Sequence, residues 1–379
     1  MPDQILGTQV IKIGGFDHVE PVYLGGGRPA AIQTMWKDRL APGDLEGERR
    51  KATLARINRL KDMGCALLRF AVPDLESAET LGRLAAMVSL PLVADIHFDY
   101  RIALRCLDFS IAKIRINPGN IGGRDKVEAV LGKAKDLDRP IRIGVNAGSL
   151  PQDLRDSLEQ GRIDRHTALV KAAERELEIF RDFGFLNGIV SMKASGIADT
   201  ISANRLFAQR AYRLGEALVP LHLGVTEAGP LVAGVVRNAA ALLALLADGI
   251  GDTIRVSLSD TMENEVIAGR EILGAVSDIQ GGSVRGLGVK MVSCPRCGRN
   301  SFDTHGFTEK WLPRLYSLHK DLTVAVMGCV VNGPGEAREA DLGITGAGDK
   351  ALLFRRGKVI RTLPAEEADA AFAEELEKL

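Results

Sequence analysis

Three cysteines and a glutamate near the end of the chain have the residue types and spacing of a metal site: Cys294-Pro-Arg-Cys297, then Cys329, then Glu336 closing the run Gly328-Cys-Val-Val-Asn-Gly-Pro-Gly-Glu336. Soft thiolates two residues apart suit zinc or an iron–sulfur cluster, and a fourth ligand that is not a thiol leaves one metal easier to expose to substrate. A lone Cys-x-x-Cys also occurs in zinc ribbons, usually with a second such pair, which is missing here. His305 and His319 remain available as zinc ligands, so the spacing leaves both metals open. Cys65 and Cys106 fall at a strand start and within a helical pattern, where a thiol serves as a small core residue.

A second set of reactive side chains recurs at the ends of short apolar segments: Gln33 with Thr34, Arg69, Asp95 with His97, Arg115 with Asn117, Arg142 with Asn146, Lys193 with Ser195, Glu227, and Arg255 with Ser257. Arg69, Arg115, Arg142, Lys193 and Arg255 suggest a multiply anionic ligand, because guanidinium forks with amide and hydroxyl donors suit phosphate oxygens. A diphosphate would satisfy so many donors. The competing reading is internal pairing of these cations with Asp95 or Glu227. His97 reads as a ligand, a general acid or a wall residue. Glu227 lies in the glycine-flanked loop Leu223-Gly-Val-Thr-Glu-Ala-Gly229, where burial beside phosphate would raise its pKa for proton donation; pairing with Lys193 or an arginine is its alternative.

These residues must be positioned by repeated βα units. From about residue 30 to 276, short branched segments alternate with stretches of helical period. Strands are expected at Ala31–Met35, Ala66–Val72, Leu92–Ile96, Ala112–Ile116, Ile141–Val145, Gly188–Met192, Pro220–Val225 and Thr253–Leu258. Helices are expected at Leu45–Met63, Leu75–Val88, Lys126–Leu137, Ala168–Phe183, Asn204–Leu218 and Leu231–Ala247. Eight units over this length fit a TIM (β/α)8 barrel, whose active site forms at the carboxyl ends of its strands. No Gly-x-Gly-x-x-Gly follows the first strand, which argues against a dinucleotide fold. Thr8–Ile13 and Pro21–Leu24 read as a hairpin plugging the barrel from below. The expected division is a barrel domain over 1–280 and a small α+β cluster domain over 281–379, with Gly281–Gly288 as a hinge. In the second domain strands are expected at Val289–Val292, Thr323–Met327, Ala351–Phe354 and Val359–Leu363, and helices at Phe307–His319 and Pro364–Leu379.

Composition narrows the function. The 379 residues are 46% apolar, enough for a sizeable core, and 49 basic residues balance 49 acidic ones. The total charge therefore gives no reason to expect nucleic acid or an anionic membrane as partner. Five cysteines, an odd number, point away from a disulfide scaffold and toward a reducing compartment, the cytoplasm. The N-terminus lacks a basic start followed by an apolar stretch, and the longest apolar run, Ala239–Ala247, is well short of the ~20 residues a membrane helix needs.

Several strings together resemble a known family. They are Ala94-Asp-Ile-His97, Lys113-Ile-Arg-Ile-Asn-Pro-Gly-Asn-Ile-Gly122, Ile143-Gly-Val-Asn146, Pro220-Leu-His-Leu-Gly-Val-Thr-Glu-Ala-Gly229, Gly251-Asp-Thr-Ile-Arg-Val-Ser257, Ser293-Cys-Pro-Arg-Cys-Gly-Arg299 and Val326-Met-Gly-Cys-Val-Val-Asn-Gly-Pro-Gly-Glu336. In order along most of the chain, they resemble the bacterial two-domain 4-hydroxy-3-methylbut-2-en-1-yl diphosphate synthases of the non-mevalonate isoprenoid pathway. The resemblance implies reductive ring opening and dehydration of 2-C-methyl-D-erythritol 2,4-cyclodiphosphate to the linear hydroxymethylbutenyl diphosphate. It implies two electrons from ferredoxin or flavodoxin, passed through a [4Fe-4S] cluster on Cys294, Cys297, Cys329 and a displaceable Glu336. It also implies a homodimer in which the cluster domain of one chain closes on the barrel of the other. Two local differences stand out: Gln33-Thr-Met-Trp36, where a serine and then a threonine are expected after the glutamine, and Gly196 after Ser195, where an acidic or amide residue is usual.

Two other classes fit parts of the sequence. A barrel performing aldol or isomerase chemistry on a sugar phosphate, with a structural zinc appendage, would use Lys193 as a Schiff-base amine. A zinc-ribbon module for nucleic acid is disfavoured by the balanced charge near Cys294 and Cys329 and the scarcity of aromatic candidates.

Overall fold

The computed structural model describes residues 7–281, 288–318 and 320–379, without the side chains of Pro118 and Glu336. The start of the N-terminal segment read for a signal, the interior of the expected hinge and His319 lie outside the described residues. Contacts divide the chain into two units, Met1–Gly282 and Ser283–Leu379.

In the first unit, β1 (Ile11–Ile13) and β2 (Val22–Leu24) form an antiparallel hairpin. Its Ile11, Ile13, Val19 and Leu24 pack against Leu67, Val93, Ala112 and Ile189, which lie at or near the amino ends of barrel strands, so the hairpin closes the bottom as expected. Eight parallel strands follow: β3 (Ala31–Met35), β4 (Leu67–Ala71), β5 (Leu92–Asp95), β6 (Lys113–Ile116), β7 (Ile141–Asn146), β8 (Gly188–Lys193), β9 (His222–Leu223) and β10 (Thr253–Ile254). Their order is β8-β7-β6-β5-β4-β3-β10-β9, and the bridge Val190↔Leu221 joins β8 to the segment leading into β9 and closes the ring. This is the expected TIM barrel.

The last two strands are shorter than their apolar patterns predicted. Beyond β9 the N–H of Val225 leaves the ladder for Asn238 Oδ1 (3.0 Å), and beyond β10 that of Leu258 turns to Glu265 Oε1 (3.0 Å). Helix side chains thus take over from strand partners where the rim begins. The helix expected at Asn204–Leu218 runs instead over Ile197–Arg213. Its first turns bury polar groups beside apolar ones: Thr200 and Asn204 are buried, and Asn204 Nδ2 donates to Thr200 O (2.8 Å) and Met192 O (3.2 Å). Leu231–Ala247 is helical over the expected span. No described helix is long and apolar enough to cross a membrane.

The second unit is a mixed five-stranded sheet in sequence order: β11 (Lys290–Ser293), β12 (Thr323–Met327), β13 (Leu342–Ala347), β14 (Lys350–Arg355) and β15 (Lys358–Pro364). The first three are parallel and the last two antiparallel. On one face the helices Thr304–Tyr316 and Ala368–Glu377 bring Phe307, Trp311 and Phe372 onto Val324, Val326, Leu342 and Ile344. Phe372 meets Phe307 and Trp311 edge-on at 5.1 and 4.8 Å between centroids. Each such buried ring contributes about 1.5–3 kcal/mol. β13 was absent from the sequence reading because Leu-Gly-Ile-Thr-Gly-Ala does not alternate; Gly343 is where the Phe354 ring lies against the sheet, 2.1 Å from an added Cβ.

Candidate active site

Alternation along the strands sends every second side chain into the barrel. In β3, Gln33 points inward and receives Lys113 Nζ at 3.0 Å, whereas Thr34 points outward and donates to Glu265 on the helix Met262–Ile279 at 2.6 Å. The same alternation places Arg69, Asp95, Arg115, Arg142, Lys193 and His222 in or near the barrel interior. Arg115 donates to Asp95 at 3.1 Å, and Arg69 Nε stands 3.6 Å from the same carboxylate. Burial pushes the Asp95 carboxyl up, but Arg69, His97, Arg115 and Arg142 outweigh it and hold it well below the usual range.

Arg142 was expected at a strand end, yet it is the second residue of β7, in register with Arg115 on β6 and Ile189 on β8. It is 2% exposed, and its Nε and Nη1 have no hydrogen-bond partner among the described residues. Burial, then the charges of Arg69 and Arg115, push its pKa down despite Asp95. Lys193, 6% exposed, forms no hydrogen bond or ion pair among the described residues; burial and then Arg142, Arg69, Arg255 and Arg115 depress it too. Lys113 is depressed by burial, Arg142 and Arg69. The interior therefore holds Arg142, Lys113 and Lys193 with no carboxylate of their own, because Asp95 serves Arg69 and Arg115, and Glu265 serves Arg255 and Lys37. An uncompensated buried cation is costly, so this set is built for an anion that arrives from outside.

Above it opens a cleft of about 740 Å³ lined by His97, Arg115, Asn117, Asn146, Ser195 and Glu227 of the expected set. His97 Nε2 lies 3.0 Å from Arg115 Nη1 and 3.6 Å from Asp95. Asn117 Nδ2 donates to Ser149 Oγ at 3.3 Å. Glu227 sits at φ 54° on the cleft wall and is exposed, and no ion pair joins it to Lys193. Gly224 and Gly229, both at positive φ, flank its segment. Arg69, Arg142, Lys193, Arg255 and Ser257 do not line this cleft; the Ser257 carbonyl accepts Asn238 Nδ2 at 3.4 Å.

Sequence reasoning missed Ser149, Thr226, Arg155 and Arg165, which also line the cleft: Ser149 and Thr226 lie past the last residues of β7 and β9, and Arg155 and Arg165 are on the helices Gln152–Glu159 and Arg165–Asp182. It also missed His222, whose Nδ1 meets Thr253 Oγ1 at 2.7 Å and whose buried Nε2 has no partner. Burial and Lys193 push its pKa well down, so it stays neutral. Its leucine neighbours gave it the look of a core position.

In the second unit, Cys294 and Cys329 follow the carboxyl ends of the paired parallel strands β11 and β12, where Ser293 is opposite Val326. Cys297 lies in the loop between them and is exposed. That loop folds back through Ser301 N–H to Gly328 O at 2.8 Å, so close that a Cβ on Gly328 would sit 2.0 Å from Asn300 Oδ1. Cys294 packs against the apolar patch of Ala325, Met327, Ala337, Ala340 and Phe354. Backbone N–H groups of Asn332 and Val331 and the Arg299 guanidinium hold the Cys329 thiol below its ordinary pKa, against burial. Among the described residues no three metal-binding side chains are already assembled, and Glu336 ends the turn Val331–Glu336 with its side chain undescribed. Three thiols at one end of the sheet, one biased toward thiolate and one against an apolar wall, fit a soft metal or an iron–sulfur group.

Residues 17–270 match the GcpE TIM-barrel domain, and residues 290–378 match the GcpE protein C-terminal domain. A curated relative from Treponema denticola, named 4-hydroxy-3-methylbut-2-en-1-yl diphosphate synthase (flavodoxin), is 47% identical over 98% of this chain and 98% of its own. Proteins of the same name from Treponema pallidum and Geobacter sulfurreducens are 49% and 44% identical, each over 97% of this chain and over 91% and 96% of their own. With both domains matched in order and relatives nearly half identical from end to end, the chain belongs to the GcpE family.

Proposed function

We infer that this protein is an iron–sulfur oxidoreductase that opens the ring of 2-C-methyl-D-erythritol 2,4-cyclodiphosphate reductively, with loss of water, to give (E)-4-hydroxy-3-methylbut-2-enyl diphosphate for isoprenoid biosynthesis. The observation that carries this reading is the buried cationic set without matching carboxylates, Arg142, Lys113 and Lys193, beneath an open cleft in a member of this family. Arg142 Nε and Nη1 and Lys193 Nζ bind the diphosphate oxygens, with Arg69, Arg115 and Arg255 around them. Asn117, Asn146, Ser195 and Ser257 supply amide and hydroxyl groups that fix the rest of the substrate. Held in one orientation, the diphosphate is already placed as the leaving group within the ring. Glu227, at the mouth, delivers the proton that departs with water. His97, between Asp95 and Arg115, orients the substrate rather than floating free.

Cys294, Cys297, Cys329 and Glu336 would hold a [4Fe-4S] cluster. When bound, such a cluster supplies single electrons and Lewis acidity. The donor set supports this assignment, since a carboxylate beside three thiolates is unusual for a closed structural zinc site. The relatives' names carry the word flavodoxin, so flavodoxin is the donor assigned, with ferredoxin as the substitute to compare. The reading includes a cytoplasmic homodimer in which the cluster domain, 281–379, closes on the partner's barrel, 1–280; its support is the family resemblance. The test is anaerobic turnover of the cyclic diphosphate with reduced flavodoxin. Two flavodoxin electrons should be consumed per linear diphosphate formed, and product formation without any donor would overturn the reading.

A further inference from the structure

Glu265 is a glutamate in the first turn of the helix Met262–Ile279, yet it is only 1% exposed. A carboxylate so far from water is costly unless its lone pairs are occupied. Here Oε2 accepts Thr34 Oγ1 at 2.6 Å and Arg255 Nε at 3.2 Å, while Oε1 accepts Lys37 Nζ at 2.5 Å, Leu258 N at 3.0 Å and Arg255 Nη2 at 3.1 Å. Burial pushes this carboxyl up, and Arg255, Lys37 and Thr34 more than offset it, so the group is held below its ordinary value and ionised at neutral pH.

Its partners come from both sides of one seam. Thr34 and Lys37 lie on and just after β3, and Arg255 and Leu258 just after β10. Those strands pair only through Thr253↔Ala31 and Ile254↔Ile32, so beyond Ile254 the carboxylate takes the place of the ladder. With Nε and Nη2 gripped, the remaining nitrogen of Arg255, Nη1, points at Met35 Sδ at 3.7 Å, and Arg69 Nη2 points at the same sulfur at 2.9 Å. A thioether is a weak acceptor, so two guanidinium N–H groups converge where an anionic oxygen would be bound far better.

We propose that Glu265 is a positioning residue for the substrate: it fixes Arg255 so that Nη1 stands beside Arg69 Nη2 as a paired donor for one phosphate oxygen next to Met35. This rests on the reading of the barrel as a diphosphate site. The test is a double-mutant cycle on the cluster-loaded enzyme, with KM and kcat for the cyclic diphosphate measured for Glu265→Gln, Arg255→Met and the pair. Glu265→Gln should raise KM about tenfold with kcat nearly unchanged, and the pair should be no worse than Arg255→Met alone. Multiplying effects in the pair, or a parental KM in Glu265→Gln beside a raised KM in Arg255→Met, would refute positioning through Arg255. A parental KM in Arg255→Met would instead remove Arg255 as a substrate contact and the proposal with it, leaving the redox reaction itself untouched. Should Glu265→Gln fail to fold, Thr34→Val removes one donor while the charge stays paired. It should raise KM less, and only when Arg255 is present; an unchanged KM would overturn the proposal.

Discussion

Arg142 and Lys193 are buried where the described residues offer them no carboxylate of their own, so the charged form of each gains most when an anion enters. Arg142→Met and Lys193→Met should each raise KM about tenfold to a hundredfold while iron content stays at the parental level, checked by steady-state kinetics beside metal analysis. Lost iron in either variant would mean that the residue supports the second unit instead. Cys329→Ser, by contrast, should lower iron per chain while the barrel keeps its melting behaviour. These groups were legible in the sequence because cations recurred beside strand-forming segments in a chain of no net charge. Glu265 and His222 were not, since a glutamate in a helix's first turn and a histidine between leucines look like a solvated cap and a core position. Only the three-dimensional seam between β3 and β10, and the pairing of β9 with β10 that brings Thr253 to His222, give them partners.

At the level of elements, the strands set which side chains meet, and close backbone approaches set how tightly. Gly144 on β7 lies under Arg115: a Cβ there would stand 2.3 Å from Arg115 Nε. Gly144→Ala should therefore displace that guanidinium and raise KM several-fold while a circular-dichroism melt still shows a cooperative transition; unchanged KM would mean that Arg115 does not touch substrate. The helix Arg165–Asp182 carries Glu176, whose buried Oε2 has no hydrogen-bond partner among the described residues. Burial pushes its carboxyl from an ordinary 4.5 to about 7, against the Gly119 N–H and Arg175. For an acid raised in this way, the native state is favoured at low pH and loses that advantage as pH rises from 4.5 through 7. Glu176→Gln should therefore melt higher than the parent above pH 7, with the gap closing as pH falls toward 4.5; a gap independent of pH would contradict the assignment. Helix Leu231–Ala247 was readable to the residue because valine, leucine and alanine fill nearly all of it, ending in the run Ala239–Ala247. The start of Ile197–Arg213 was not, because it buries Thr200 and Asn204, and β13 was not, because its glycines serve close packing against Phe354 instead of alternation.

Over the whole molecule, balanced formal charge conceals a local excess of cations in the first unit, while in the second Cys294 and Cys329 follow the ends of two paired strands, with Cys297 in the loop after the first. The number of βα units announced the barrel, and the Cys-x-x-Cys with its later cysteine is the sequence feature from which a metal site is proposed. Spacing alone left zinc and iron–sulfur open, because both accept thiolates at that separation. The account depends on those thiolates carrying electrons rather than bracing a fold. The most direct test is iron, zinc and acid-labile sulfide on protein purified without oxygen, with the visible spectrum recorded before and after dithionite. About four iron and four sulfide per chain, with a broad absorption that bleaches on reduction, is the predicted result. About one zinc per chain and no sulfide would contradict it, and would leave the cationic barrel to redox-free sugar phosphate chemistry.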